Sequence, residues 1–282
     1  MKRFQAQENS SIFAAKPVAL PFIASLLGLH ILFTLVANLL LFENGTLSII
    51  DRNTNGWINE TLTANLFGIL IEVIIFLFFI AKVSPRDVGI KIATLWSGFL
   101  GTFLFWLAIN LVDLCMTLLN HSTLTSNRDI FMYPGYFIGE MLGQILGNSF
   151  LEETLFRGFL LVQIYLCFKK NRSHTSRIIY AMLISQSIFA AIHIPNRIYS
   201  GLTGIEFVYD FIILVILGVI FSLIYILTKN LFFVIGVHSL MNVQLTFWVS
   251  SYTYTATLIC VFGLVFLLLG SLYREKRSSN HN

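Results

Sequence analysis

Charge is what this chain of 282 residues has least of. Asp, Glu, Lys and Arg make up 11% of it, where soluble domains carry about 25%. With 56% apolar residues and 27 phenylalanines, that scarcity excludes a water-soluble domain and defines an integral membrane protein. Cysteine is scarce too. Cys115, Cys167 and Cys260 are scattered and odd in number, which excludes a disulfide framework and a CxxC site and leaves them as small apolar packers. The five prolines, Pro17, Pro21, Pro85, Pro134 and Pro195, all fall near the ends of apolar runs. The net charge of +4 is spread over short loops and tails, which suits membrane orientation and not nucleic-acid binding. Low-complexity segments, internal repeats and a soluble domain are all lacking, so residues 1–282 read as one membrane domain.

What is present is a series of apolar runs near the length a bilayer requires. Their spacing predicts an all-α bundle of about eight transmembrane helices, over residues 18–42, 62–81, 93–119, 136–168, 178–194, 207–227, 231–249 and 254–273. The first run follows a polar start and is too long for a signal-peptide core, so it reads as a retained anchor. The fourth is long enough to be tilted, broken or extended past the bilayer. Lys2, Arg3, Lys16, Lys82, Arg86, Lys91, Lys169, Lys170, Arg172, Arg177, Lys229, Arg274, Lys276 and Arg277 fall on one set of loops and tails, against Arg52, Arg128 and Arg197 on the other. The positive-inside rule then places both termini in the cytoplasm of a multi-pass protein of the cell membrane. Turn signals at Asn44-Gly45, Asn55-Gly56 and Pro134-Gly135 mark the longer outer loops, residues 43–61 and 120–135.

Against this background the run Glu152-Glu153-Thr154-Leu155-Phe156-Arg157-Gly158 stands out. An ionisable group inside a membrane costs about 2.5 kcal/mol or more and usually faces a protein interior or a wet cavity. On a helix Glu140, Gln144, Asn148 and Glu152 form one polar stripe. Gly139, Gly143 and Gly147 form a small-residue ridge beside it for a closely packed neighbour. Gln144 and Asn148 suit interhelical hydrogen bonding. Glu153 and Arg157 stand four apart with the acid first, the favoured order for a helical ion pair, and read as a structural, desolvated pair. Glu152, about 100° further round the helix, keeps no such cation, and a buried carboxylate in that position suits a general base.

Two later spans bring imidazoles: His193 ends Phe189-Ala190-Ala191-Ile192-His193, with Gln186 a heptad earlier. His238 and Asn242 share a face of the seventh span, continued by Thr246. If the fourth, fifth and seventh spans meet, one carboxylate base, two imidazoles and a carboxamide can activate water and stabilise an oxyanion. Counting about 1.5 Å per residue from the cytoplasmic ends places Glu152 and His193 roughly 24 Å deep and His238 about 12 Å. His30, Glu72 and Asp113 show no partner pattern and read as buried polar contacts or span ends. Trp57, Trp96, Trp106 and Trp248 read as interfacial aromatics.

The blocks Glu-Glu-x-x-x-Arg (Glu152, Glu153, Arg157), Phe-x-x-x-His (Phe189, His193) and His-x-x-x-Asn (His238, Asn242) resemble the CAAX protease and bacteriocin-processing (CPBP, or Abi) family of intramembrane endopeptidases, over about residues 136–250. The resemblance implies peptide-bond hydrolysis in a cavity open toward the cytoplasm. Glu152 with His193 would hold and deprotonate the attacking water, His238 with Asn242 would stabilise the oxyanion, and Glu153 and Arg157 would support the site. The family is often called metalloprotease, and a metal-free glutamate mechanism is also argued for it. This chain lacks HExxH and offers only two His among its candidate ligands, so the preference falls on metal-free chemistry with zinc as the alternative. The implied substrate is a prenylated CAAX protein, a peptide precursor or another membrane protein, entering from the membrane or cytoplasmic side. Two other classes remain: a non-catalytic immunity or regulatory protein on this scaffold, and a proton-coupled transporter.

Overall fold

The computed structural model describes residues 12–168 and 173–279. Almost all of this is helix: α1 (Leu20–Phe42), α2 (Thr46–Asn53), α3 (Glu60–Ile80), α4 (Ile92–Leu119), α5 (Asp129–Met132), α6 (134–167), α7 (His174–Tyr199), α8 (Gly204–Thr228), α9 (Leu231–Asn242) and α10 (Thr253–Arg274). Among the described residues the only sheet is a two-residue ladder, β1 (Thr125–Ser126) against β2 (Trp248–Val249), paired antiparallel. Six helices, α1, α3, α4, α7, α8 and α10, are long and apolar enough to cross a bilayer. The polytopic helical bundle expected from composition is therefore present. Of the cations used to orient the chain, Lys2, Arg3, Lys169, Lys170 and Arg172 lie outside the described residues.

The fourth expected span is α6, and it runs without a gap from Pro134 at its first turn to Cys167. Widened π-type turns at Gly143–Asn148 and Thr154–Leu160 flank the short α-helical stretch Ser149–Glu153 that carries both carboxylates; such turns recur at functional sites. The glycine ridge works as its spacing predicts. A Cβ at Gly139 would run into the Gly56 carbonyl, and one at Gly143 into the Asn59 side chain. The start of α3 and the turn before it therefore lie directly on α6.

The seventh span is shorter than its apolar pattern suggests. α9 stops at Asn242, and residues 243–252 leave the helix, so Thr246 does not continue the face of His238. Side chains on α4 bind this segment's backbone. Trp106 and Asn110 donate to the Leu245 carbonyl, and Phe247 N–H donates to Asn110. At the other end Asn230 caps α9 through Phe233 N–H while its Nδ2 donates to Thr94 and Ser97 of α4. α4 thus splints α9 along its length. The outer loop 43–61, expected as a connection, holds α2.

Candidate active site

Three helices converge on Glu152. His193 Nε2 stands 3.8 Å from Glu152 Oε1, and His238 Nε2 stands 3.7 Å from Oε2. The carboxylate is 9% exposed and lies between two imidazoles, each just beyond direct hydrogen-bond reach, a separation that asks for a bridging atom. The pairing of α6, α7 and α9 at this point is what the three sequence blocks predicted.

Local structure sets each imidazole. α7 breaks at His193, where Pro195 cannot donate to the preceding turn and a second short segment, Ile194–Tyr199, begins. His193 Nδ1 lies 2.8 Å from the Phe189 carbonyl of its own helix. A carbonyl only accepts, so Nδ1 carries a proton there, and Nε2 is the nitrogen turned toward Glu152. The segment after the break is held by an Arg197–Asp210 ion pair at 2.8 Å, tying it to α8. His238 stacks on Phe221 of α8, with ring centroids 4.8 Å apart, and its Nδ1 is 2.7 Å from Glu153 Oε1.

Glu153 is therefore more than the ion-pair member its spacing suggested. The same Oε1 accepts from Arg157 Nη1 at 3.0 Å, and both side chains are fully buried. Arg157 also lies over the Phe189 ring at 4.6 Å and the Phe221 ring at 5.3 Å. Guanidinium, carboxylate and imidazole thus form a chain from the core to Glu152. The spacing of Glu153 and Arg157 signalled the first link. No sequence signal gives the second, because it joins residues 85 apart.

Asn242 reaches the same polar stripe, but by a partner other than His238: its Nδ2 donates to Gln144 Oε1 at 2.9 Å. Ser149 Oγ donates to the same oxygen at 3.2 Å. Gln144 thereby bridges α6 and α9, the interhelical role expected of it. Glu140, on the same stripe, is exposed, and Gln186 is buried beside Gly218 of α8 and bonded to Ser185. His30 and Glu72, which had shown no pattern, pair with each other across α1 and α3 at 2.9 Å. Asp113 is fully buried and accepts from Ser250, Trp248 and Thr253. Trp57 and Trp96 are exposed as interfacial aromatics are, whereas Trp106 and Trp248 donate to Leu245 and Asp113 inside the protein.

The depth mismatch has a simple origin. Val88 O abuts Gly158 of α6, and the next residue, Gly89, packs by Leu231 at the start of α9. Those two positions are therefore level, and Glu152 is six residues from one while His238 is seven from the other. Both lie about 10 Å along their helices from that shared level. The count from the end of α6 was too long because α6 and α7 project beyond it as an antiparallel hairpin, joined by Tyr165 and His174 at 2.6 Å.

A resident zinc would need donors within about 2.3 Å of one point. Among the described residues no three His, Cys, Asp or Glu side chains form such a set. No step below runs through a metal.

An apolar cavity of about 410 Å³ opens between α4, α6 and α9. Its walls include Met141 and Ile145, either side of Gln144, and Leu240 and Leu245, either side of Asn242.

The described helices form a multi-pass bundle that encloses a carboxylate between two imidazoles. Residues 134–244 match the family model described as Rce1-like, type II CAAX prenyl endopeptidase. That range contains Glu152, Glu153, Arg157, His193, His238 and Asn242, and it supports an intramembrane endopeptidase of the CAAX-protease type. Neither a curated protein nor a solved structure was found to match the chain.

Proposed function

We propose that the protein is a glutamate-dependent intramembrane endopeptidase whose nucleophile is a water held between Glu152 and His193. The 3.8 Å gap between Glu152 Oε1 and His193 Nε2 carries this reading, since one water can bridge it by donating one hydrogen to each. Glu152 takes the proton as the water oxygen attacks the scissile carbonyl carbon, and the carbonyl oxygen becomes the oxyanion. When the C–N bond breaks, the Glu152 acid returns that proton to the leaving amine.

His238 is the oxyanion donor. The ionised Glu153 only accepts hydrogen bonds, so Nδ1 carries a proton toward it. For this role Nε2 must carry a proton as well, which would bring the buried set of Glu152, Glu153, Arg157 and His238 to formal neutrality and present a charged donor to the site. Asn242 uses one Nδ2 hydrogen on Gln144 and keeps the other for the oxyanion or for substrate backbone.

For substrate, the family description and the apolar cavity beside Gln144 and Asn242 favour a prenylated protein over an unmodified peptide precursor. The isoprenoid would lie in the cavity, and the peptide would approach from the cytoplasmic side of the cell membrane, the side to which the positive-inside rule assigns both termini. Purified protein should cleave a prenylated peptide and keep that activity after exhaustive chelation. His193→Ala should lose about 10²–10⁴-fold in kcat. Loss of activity on chelation, restored by zinc, contradicts the metal-free step.

A further inference from the structure

We propose that Gln186 is a positioning residue for the reaction: through one buried water its amide oxygen holds the free edge of the Arg157 guanidinium, and with it Glu153 and His238. The inference rests on the reading of His238 as the oxyanion donor. Gln186 and Arg157 are both fully buried. Arg157 spends Nη1 on Glu153. Its Nε and Nη2, which form the other edge of the planar fork, have no direct partner among the described residues, and neither does Gln186 Oε1. Buried polar groups are as a rule paired, with protein or with ordered water.

Helix geometry brings these atoms together. Gln186 packs on Gly218 and Arg197 pairs with Asp210, so α7 and α8 run antiparallel. Phe189 follows Gln186 by three residues on α7, and Phe221 follows Gly218 by three on α8. The two rings therefore flank the Gln186–Gly218 contact from opposite ends. Side chains on a helix lean toward its N-terminus, which tilts both rings back toward that contact. The Arg157 guanidinium carbon lies 4.6 Å from the centre of the Phe189 ring and 5.3 Å from that of Phe221. It thus stands level with Gln186.

The amide is turned for this task. Ser185 Oγ donates to the Met182 carbonyl at 3.2 Å and accepts from Gln186 Nε2 at 2.8 Å, which leaves Oε1 as the end not bonded to protein. A ligand between that oxygen and the guanidinium must accept from N–H and donate to a carbonyl oxygen. An anion only accepts, and a metal cation would face the guanidinium charge, whereas water does both. Held on this edge, Arg157 keeps Nη1 on Glu153 Oε1, the oxygen that also sets His238 Nδ1 at 2.7 Å.

The test is a double-mutant cycle in the full-length protein in lipid, with kcat and KM on a prenylated peptide and the unfolding temperature measured for each member. Gln186→Met keeps the size and removes the acceptor. Arg157→Lys can still pair with Glu153 but has no second edge to offer. Gln186→Met should lower kcat about tenfold with KM unchanged, and Gln186→Glu, which keeps an acceptor, should lose less. On the Arg157→Lys background Gln186→Met should cost nothing further in kcat or unfolding temperature. A loss of the same size on both backgrounds means Gln186 only packs against Gly218 and overturns the proposal, as does full kcat in Gln186→Met. Wild-type protein supplies a check that needs no variant. A map that resolves waters should show one within hydrogen-bond reach of both Arg157 and Gln186 Oε1, and a map without it overturns the proposal. Coupled shifts in unfolding temperature in a protein that cleaves nothing leave the Gln186–Arg157 link standing and remove the endopeptidase reading instead.

Discussion

Glu153 does two jobs through one oxygen, accepting from Arg157 on its own helix and from His238 on α9. Removing a partner from a buried pair leaves an uncompensated charge and costs about 3–5 kcal/mol. Glu153→Gln should therefore lower the thermal unfolding temperature markedly as well as abolish turnover. His238→Gln, which keeps the Glu153–Arg157 pair, should abolish turnover with a smaller loss of stability. Equal destabilisation by the two changes contradicts the picture of Glu153 as the shared anchor. Arg157 suits its place because its guanidinium lies over Phe189 and Phe221, contacts that a lysine makes less well. Arg157→Lys should thus destabilise although it keeps the charge.

At the scale of elements, α6 is fixed by what touches its glycines. Gly143→Val places a branched side chain where Asn59 caps α3, and overpacking of this kind costs about 1–3 kcal/mol. The expected outcome is a lower unfolding temperature, with Gly28→Val, which has open space around it, as the neutral comparison. This ridge, the Glu153–Arg157 pair and the shared stripe of Gln144 and Glu152 were legible in the sequence, because a helix makes neighbours of residues three and four apart. What joins distant segments was not. The bonds of His238 to Glu153, His30 to Glu72 and Asp113 to Trp248 span 42 to 135 residues, and no local period encodes them. The early end of α9 was hidden for a related reason. Residues 243–249 stay mostly apolar, and what draws them out of the helix is hydrogen bonding to α4, a tertiary effect.

For the molecule as a whole, apolar run length located the six long helices, while the level of the site needed the packing of residues 83–91 beneath α6 and α9. That level bears on how a substrate arrives. On the orientation proposed from the Lys and Arg distribution, a cysteine placed at Lys82 should react with an impermeant thiol reagent only from the cytoplasmic side, and one at Ser200 only from the opposite side. The reverse pattern inverts the protein and with it the route of the peptide.

In the proposed mechanism Glu152 activates the nucleophilic water. Its most direct test is cleavage of a prenylated peptide by purified Glu152→Gln protein, with the product identified by mass and folding checked by the unfolding transition. Gln keeps the shape but cannot take the proton, so kcat should fall by about 10²–10⁴-fold with the fold intact. Cleavage at the wild-type rate by folded Glu152→Gln protein contradicts it.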